Sequence, residues 1–172
     1  MSVVKAVLKI LVLALIVFGL YQFFVFPAIY KMGQIIHVID ADSYLIKIDG
    51  KVKNVQLIGV DAPERTGEQK RSQCYNYEAK QYVLDIVDQN PIVQIDTDSN
   101  VDAHDLHGRD LVYITLPNGK MLNQLLVENG MAKESNPEKK NYRMEKQFLI
   151  AQAQAKEAQK GIWSNETCKG KF

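Results

Sequence analysis

Four carboxylates stand out for where they fall: Asp40 and Asp42 in Ile39-Asp40-Ala41-Asp42-Ser43, and Asp61 and Glu64 in Val60-Asp61-Ala62-Pro63-Glu64. Each lies at or near the end of a run that reads as a strand. Residues 43–48 and 51–58 are two such runs joined by Asp49-Gly50, a pair that tolerates the positive φ of a two-residue hairpin turn. Folding this hairpin brings its open ends together, and with them Asp42, Asp61 and Glu64. Carboxylates crowded in this way repel one another unless a cation compensates, and an all-oxygen set suits a hard divalent ion, Ca2+ or Mg2+. Taken singly, any of these acids reads as a turn cap. Their convergence points to chemistry: a cation polarises a phosphate and acidifies a water, and a neighbouring carboxylate takes the proton.

Other reactive side chains give weaker patterns. Arg109, preceded by Gly108 and opening a strand, offers a guanidinium fork for a phosphate; its alternative is a surface ion pair with Asp105 or Asp110. His104 and His107, interleaved with Asp102 and Asp105, resemble a transition-metal set, but without cysteine and in a polar stretch they read as a solvated loop. His37 reads as a strand residue. Tyr75, Tyr77, Tyr82 and Trp163 read as core or rim packing rather than a base-stacking platform.

The elements that must position these groups follow from periodicity and turn residues. Residues 34–39, 43–48 and 51–58 form a three-stranded meander. Thr66-Gly67-Glu68-Gln69 matches a capping box, after which Tyr75, Ala79, Tyr82, Val83 and Ile86 recur on one helical face until Asn90-Pro91. Residues 92–95 and 111–116 read as a fourth and fifth strand, separated by a hydrophilic stretch at 96–109. A short helix at 121–129 ends with Gly130 at C′. A last helix opens at Asn136-Pro137 and carries Met144, Phe148, Ala151, Ala155 and Ala158 as its apolar stripe. Five strands with three helices predict an α+β domain, mainly β, built on a small Greek-key barrel of the OB type.

The chain has 172 residues, 47% of them apolar and 24% charged, which excludes collagen-like, disulfide-dense and wholly disordered classes. Its net charge is +1, and without Lys5 and Lys9 the remaining 19 basic and 20 acidic side chains nearly cancel. A near-neutral domain has no general grip on polyanions, so nucleic-acid binding must come from a local site. Residues 10–30 carry no charge, and a helix of that length rises about 30 Å, the thickness of a hydrocarbon core. The stretch is too long for a cleavable signal and lacks small residues at its end, so an uncleaved anchor is expected. Lys5 and Lys9 on one flank against Lys31 on the other place the N-terminus in the cytoplasm and the rest outside it. Residues 1–31 thus form a cytoplasmic stub and transmembrane anchor, and residues 32–172 a monomeric extracytoplasmic domain. In an oxidising compartment Cys74 and Cys168, the two cysteines, are expected to pair.

Five blocks then carry a resemblance to a known family. They are Val38-Ile39-Asp40-Ala41-Asp42-Ser43, Val55-Gln56-Leu57-Ile58-Gly59-Val60-Asp61-Ala62-Pro63-Glu64, His107-Gly108-Arg109-Asp110-Leu111, Leu126-Val127-Glu128-Asn129-Gly130-Met131-Ala132 and Gly161-Ile162-Trp163. In this order they resemble the thermonuclease, or staphylococcal-nuclease-like, domain from about residue 34 to 163. The resemblance implies an OB-fold barrel and Ca2+-dependent hydrolysis of DNA or RNA. Carried over position by position, it implies Asp42, Asp61 and the Ala62 carbonyl as metal ligands, Glu64 as the residue that activates water, Arg109 as a phosphate fork and His107 as a substrate contact. The sequence departs from the family at Gln56, where the motif has arginine; glutamine can donate a hydrogen bond to phosphate but brings no charge and no fork. Arg65, beside Glu64, is a weak substitute because adjacent positions on an extended chain point oppositely. Two classes of function follow: a membrane-anchored nuclease, or a non-catalytic nucleic-acid-binding or interaction module on the same barrel.

Overall fold

The computed structural model describes residues 2–21, 31–66, 71–88 and 91–171. In chain order its elements are α1 (Ser2–Leu20), β1 (Lys31–Asp40), β2 (Ser43–Ile48), β3 (Lys51–Leu57), β4 (Val60–Asp61), β5 (Arg65–Thr66), β6 (Arg71–Ser72), α2 (Asn76–Val87), β7 (Ile92–Asp96), β8 (Asp110–Thr115), α3 (Leu122–Glu128), β9 (Lys133–Glu134) and α4 (Glu145–Glu157), followed by a 3-10 turn at Gly161–Trp163. The five longer strands close into a barrel in the order β1-β2-β3-β8-β7. Neighbours are antiparallel except β3 and β8, which run parallel, and β1 completes the closure against β7. This is the OB-type barrel, and two bulges let β1 bend around it.

Alternation along the strands fills the barrel with Ile46, Val55, Leu57, Val93 and Ile114, all essentially solvent-free. The helices cover its open sides: α2 buries Ala79, Val83 and Val87, α3 buries Leu122, Leu126 and Val127, and α4 buries Phe148, Ala151 and Ala155. The buried Asn123 ties α3 to the parallel seam, donating from Nδ2 to the carbonyls of Ile58 and Val112 and accepting from the Ile114 amide.

The barrel has two distinct ends. Pairing of Gly33 with Ile48 puts the start of β1 beside the Asp49-Gly50 turn, whereas pairing of Asp40 with Ser43 and of Ser43 with Gln56 puts the Asp42 turn and the end of β3 at the other. Beyond α3, Gly130 and Gly161 meet backbone to backbone. A Cβ on the first would lie 2.2 Å from the Lys160 oxygen, and one on the second 2.1 Å from the Gly130 oxygen. Both have positive φ, and the Ile162 amide donates to the Gly130 carbonyl at 2.8 Å. Cys74 and Cys168 are joined by a disulfide across 94 residues.

Three expectations from the sequence need correction. The capping box at Thr66 does not start a helix: Thr66 pairs with Arg71 in a short antiparallel ladder, and α2 begins at Asn76 after Tyr75, whose φ is 72°. The last helix opens at Glu145 rather than at Asn136-Pro137, because the Asn136 side chain closes a turn instead, donating to the Lys140 carbonyl and Glu145 Oε1 and accepting from the Lys140 amide. Ala158 is the exposed C-cap of that helix and not part of its stripe. At the N-terminus, α1 starts at Ser2, and its described side chains, residues 7–20, are all exposed. Among the described residues no helix is long and apolar enough to cross a membrane. Residues 22–30 of the expected span lie outside the described residues.

Candidate active site

The residues singled out from the sequence meet at the barrel end formed by the Asp42 turn. Gln56 sits opposite Ser43 on β2 and Leu111 on β8, Asp61 follows in β4, and Glu64 lies just beyond. Gln56, Asp61, Glu64 and Arg109 line one cavity of about 220 Å³. Asp42, 1% exposed, does not line it but is bonded to Ala62, the residue after Asp61.

Asp42 is the most constrained group. Its Oδ2 accepts from the Ala62 amide at 2.8 Å, while Oδ1 is buried and has no hydrogen-bond partner. Burial pushes its carboxyl up to about 7, and the charges of Asp61 and Glu64 add to this against the Ala62 amide and the Gln56 side chain. Gln56 Oε1 is likewise buried and unpartnered. Two buried oxygens without a hydrogen bond, one of them on a carboxyl that burial keeps from ionising, have the chemistry of a cation site. Among the described residues no three acidic or histidine side chains form a ready-made cage. Asp61 is turned to Lys133, its register partner on β9, at 3.0 Å. The donor set therefore fits a hard cation whose remaining positions are taken by water or substrate.

A pH prediction follows. The folded carboxyl of Asp42, at about 7, lies above its unfolded value of 3.8, so the folded protein keeps a proton that the unfolded chain releases. The stability this proton contributes is complete below about pH 4, declines as pH rises and is gone above about pH 7, a loss on the order of 4 kcal/mol at about 1.4 kcal/mol per pH unit. Urea midpoints of the metal-free protein are expected to fall between pH 5 and 8, and Asp42→Asn to flatten that slope; a wild-type midpoint that does not move with pH in this range refutes the assignment.

Arg109 fits both of its readings. Its Nε donates to Asp105 Oδ2 at 2.6 Å and its amide to Oδ1 at 2.9 Å, so the aspartate fixes the arginine at the cavity wall. No other hydrogen bond to the guanidinium occurs among the described residues, which leaves its terminal nitrogens for an anion. His107 is exposed and does not line the cavity; its amide donates to Asp105 Oδ1. His104 pairs with Asp110 and Asp102 with Lys140, so this histidine and aspartate loop does not converge on a metal. His37 is an exposed residue on β1, and Tyr77 is 73% exposed rather than packed. The backbone of Arg65 pairs with Ser72.

Sequence reasoning missed the far wall, where Asn136, Lys140 and Tyr142 line the cavity and Lys133 meets Asp61. Lys140 bridges Asp102 at 2.6 Å and Glu138 at 3.1 Å. The available signal was Asn136-Pro137, which opens a turn as readily as a helix.

Comparison with known proteins points to one family. Residues 54–165 match the family model described as staphylococcal nuclease homologue. The chain is 35% identical over 133 residues to a thermonuclease of Staphylococcus hyicus, covering 77% of this chain and 75% of that protein. It is 36% identical over 130 residues to a thermonuclease of Staphylococcus intermedius, covering 73% and 72%. Endonuclease YncB of Bacillus subtilis is 28% identical over 126 residues, covering 73% and 58%.

Proposed function

Since the chain belongs to the staphylococcal nuclease family, we propose that it is a Ca2+-dependent nuclease that hydrolyses phosphodiester bonds of DNA or RNA. The observation that carries this reading is the buried Asp42 carboxylate with its unpartnered oxygen, bonded to the Ala62 amide next to a cavity walled by Asp61, Glu64, Arg109 and Gln56. Asp42, Asp61 and the Ala62 carbonyl would hold the ion, which when bound polarises the phosphate and acidifies a water. Glu64 takes the proton from the attacking water. The terminal nitrogens of Arg109 donate to the phosphoryl oxygens as charge develops there, and Gln56 offers a neutral amide. Asp105 orients Arg109 through the Nε contact and leaves the far side of the fork open. Hydrolysis of single- and double-stranded substrates by the full-length chain, measured across a Ca2+ titration, tests the reading; no Ca2+-dependent cleavage above a Glu64→Gln control overturns it.

One observation favours a second reading, a nucleic-acid-binding module without turnover: Gln56 supplies no positive charge where the family's motif has arginine. Binding without cleavage in the same titration would support it.

The proposed setting is a membrane, held through residues 10–30, with residues 32–172 on the extracytoplasmic side as a monomer. The exposed apolar side chains along residues 7–21 and the flanking lysines support this reading. A reporter fused after Phe172 that is active only in the cytoplasm should stay silent, and its activity would reverse the topology.

A further inference from the structure

Glu64 is gripped by a single residue on both sides of its backbone. Gln73 Oε1 accepts from the Glu64 amide at 2.6 Å, and the Gln73 amide donates to the Glu64 carbonyl at 2.9 Å. The second of these bonds extends the β5–β6 ladder by one position, and a ladder of two pairs is too short to persist unaided. The start of α2 adds a second grip. Asn76, 4% exposed, donates from Nδ2 to the Pro63 carbonyl at 2.7 Å and to Asp40 Oδ1 at 3.3 Å, and Ser72 Oγ donates to its Oδ1 at 3.2 Å.

Between Gln73 and Asn76 the chain passes through Cys74 and Tyr75. Cys74 is exposed and Tyr75 only half-buried, so apolar packing does little to hold this stretch. The disulfide does hold it. Cys168 is buried in a turn fastened by several bonds: Thr167 Oγ1 to the Gly161 carbonyl, the Lys169 amide to the Ser164 carbonyl and the Gly170 amide to the Ile162 carbonyl. Ile162 is fully buried and is itself bonded to Gly130. The bridge therefore fastens the residue next to Gln73 to a turn that is itself anchored through Ile162 to Gly130.

We infer that Gln73 is the positioning residue for the Glu64 carboxylate, and that the Cys74–Cys168 disulfide supports catalysis by holding Gln73 in place. This rests on the nuclease reading of the site. A general base displaced by about 1 Å can lose on the order of 10²-fold in rate, so the grip acts on kcat and not on substrate or cation affinity.

The test uses the full-length protein and three variants: Cys74→Ser with Cys168→Ser, Gln73→Met with the bridge intact, and Gln73→Glu, which keeps an acceptor at the same place. The first two are expected to lose 10- to 100-fold in kcat, with KM and the Ca2+ midpoint within about twofold, and Gln73→Glu to recover most of the rate. Hydrogen exchange of the Glu64 amide should quicken at least tenfold in the first two, while the Ile46 and Ile114 amides stay protected. Wild-type kcat together with a protected Glu64 amide in folded Gln73→Met or bridge-free protein overturns the proposal. If the wild type itself does not cleave, the nuclease reading fails, and the exchange result still decides whether Gln73 and the bridge hold Glu64.

Discussion

Glu64→Gln is expected to lower kcat by a factor on the order of 10² to 10⁴, the range for loss of a positioned general base, and to leave the fold intact. Both hydrogen bonds that hold residue 64 run through its peptide groups, so the substitution leaves them in place. Its side chain is half-exposed at the cavity wall, and an amide of the same shape refills the space without the proton-accepting oxygen. There is a second signature. The Glu64 charge is one of the influences that raise the Asp42 carboxyl, so its removal should move the pH dependence of metal-free stability toward lower pH. Turnover within a factor of three of wild type would remove Glu64 from the chemistry, and a collapsed urea midpoint would mark it as structural.

Gln56→Arg is expected to raise kcat by about tenfold or more, approaching the 10²- to 10³-fold that one preorganised donor contributes in other hydrolases. Gln56 alternates with the buried Val55 and Leu57 and faces the cavity that Arg109, just before β8, also lines. A guanidinium there would bring a second cationic fork to charge that develops on phosphoryl oxygens, so the gain should fall on kcat rather than KM. The buried Asp42 Oδ1 competes for the same guanidinium, because it lacks a partner. If arginine pairs with it, the Ca2+ midpoint rises at the same time. An unchanged kcat at saturating Ca2+, with the native circular dichroism spectrum, would mean that Gln56 does not limit the rate.

What the sequence revealed of this site depended on how far apart the contributing residues are. Asp42, Gln56, Asp61 and Glu64 fall within 23 residues, and one hairpin with an unambiguous Asp49-Gly50 turn brings them together; alternation alone told which side of β3 Gln56 would face. Lys140 and Tyr142 reach the same cavity from the other end of the chain, and Lys133 reaches Asp61 at its wall, through the turn built on Asn136 and the two-residue pairing of β4 with β9. Neither device has a periodicity to detect. The start of α2 differs because Thr66 satisfies the local rule for a cap while tertiary partners claim its neighbourhood: Thr66 pairs with Arg71, and Cys74 is bridged to Cys168. Asp42 illustrates the limit from the other side. Its place in a turn was legible, but that it would be 1% exposed with an oxygen left unpartnered depends on packing that spacing does not encode.

The contact between Gly130 and Gly161 has a bearing on how variation in this protein would be read. Neither position tolerates a side chain, since each Cβ would fall inside the other segment's backbone, and the same contact anchors the turn that carries Cys168. In a library scored by DNA cleavage, both would appear as intolerant as the carboxylates, though neither lines the cavity. A change at one could not be rescued at the other, because the clash is with main chain that no substitution removes. Scoring the same library for folded abundance would separate these two positions from Glu64, whose variants should accumulate normally and fail only when asked to cut.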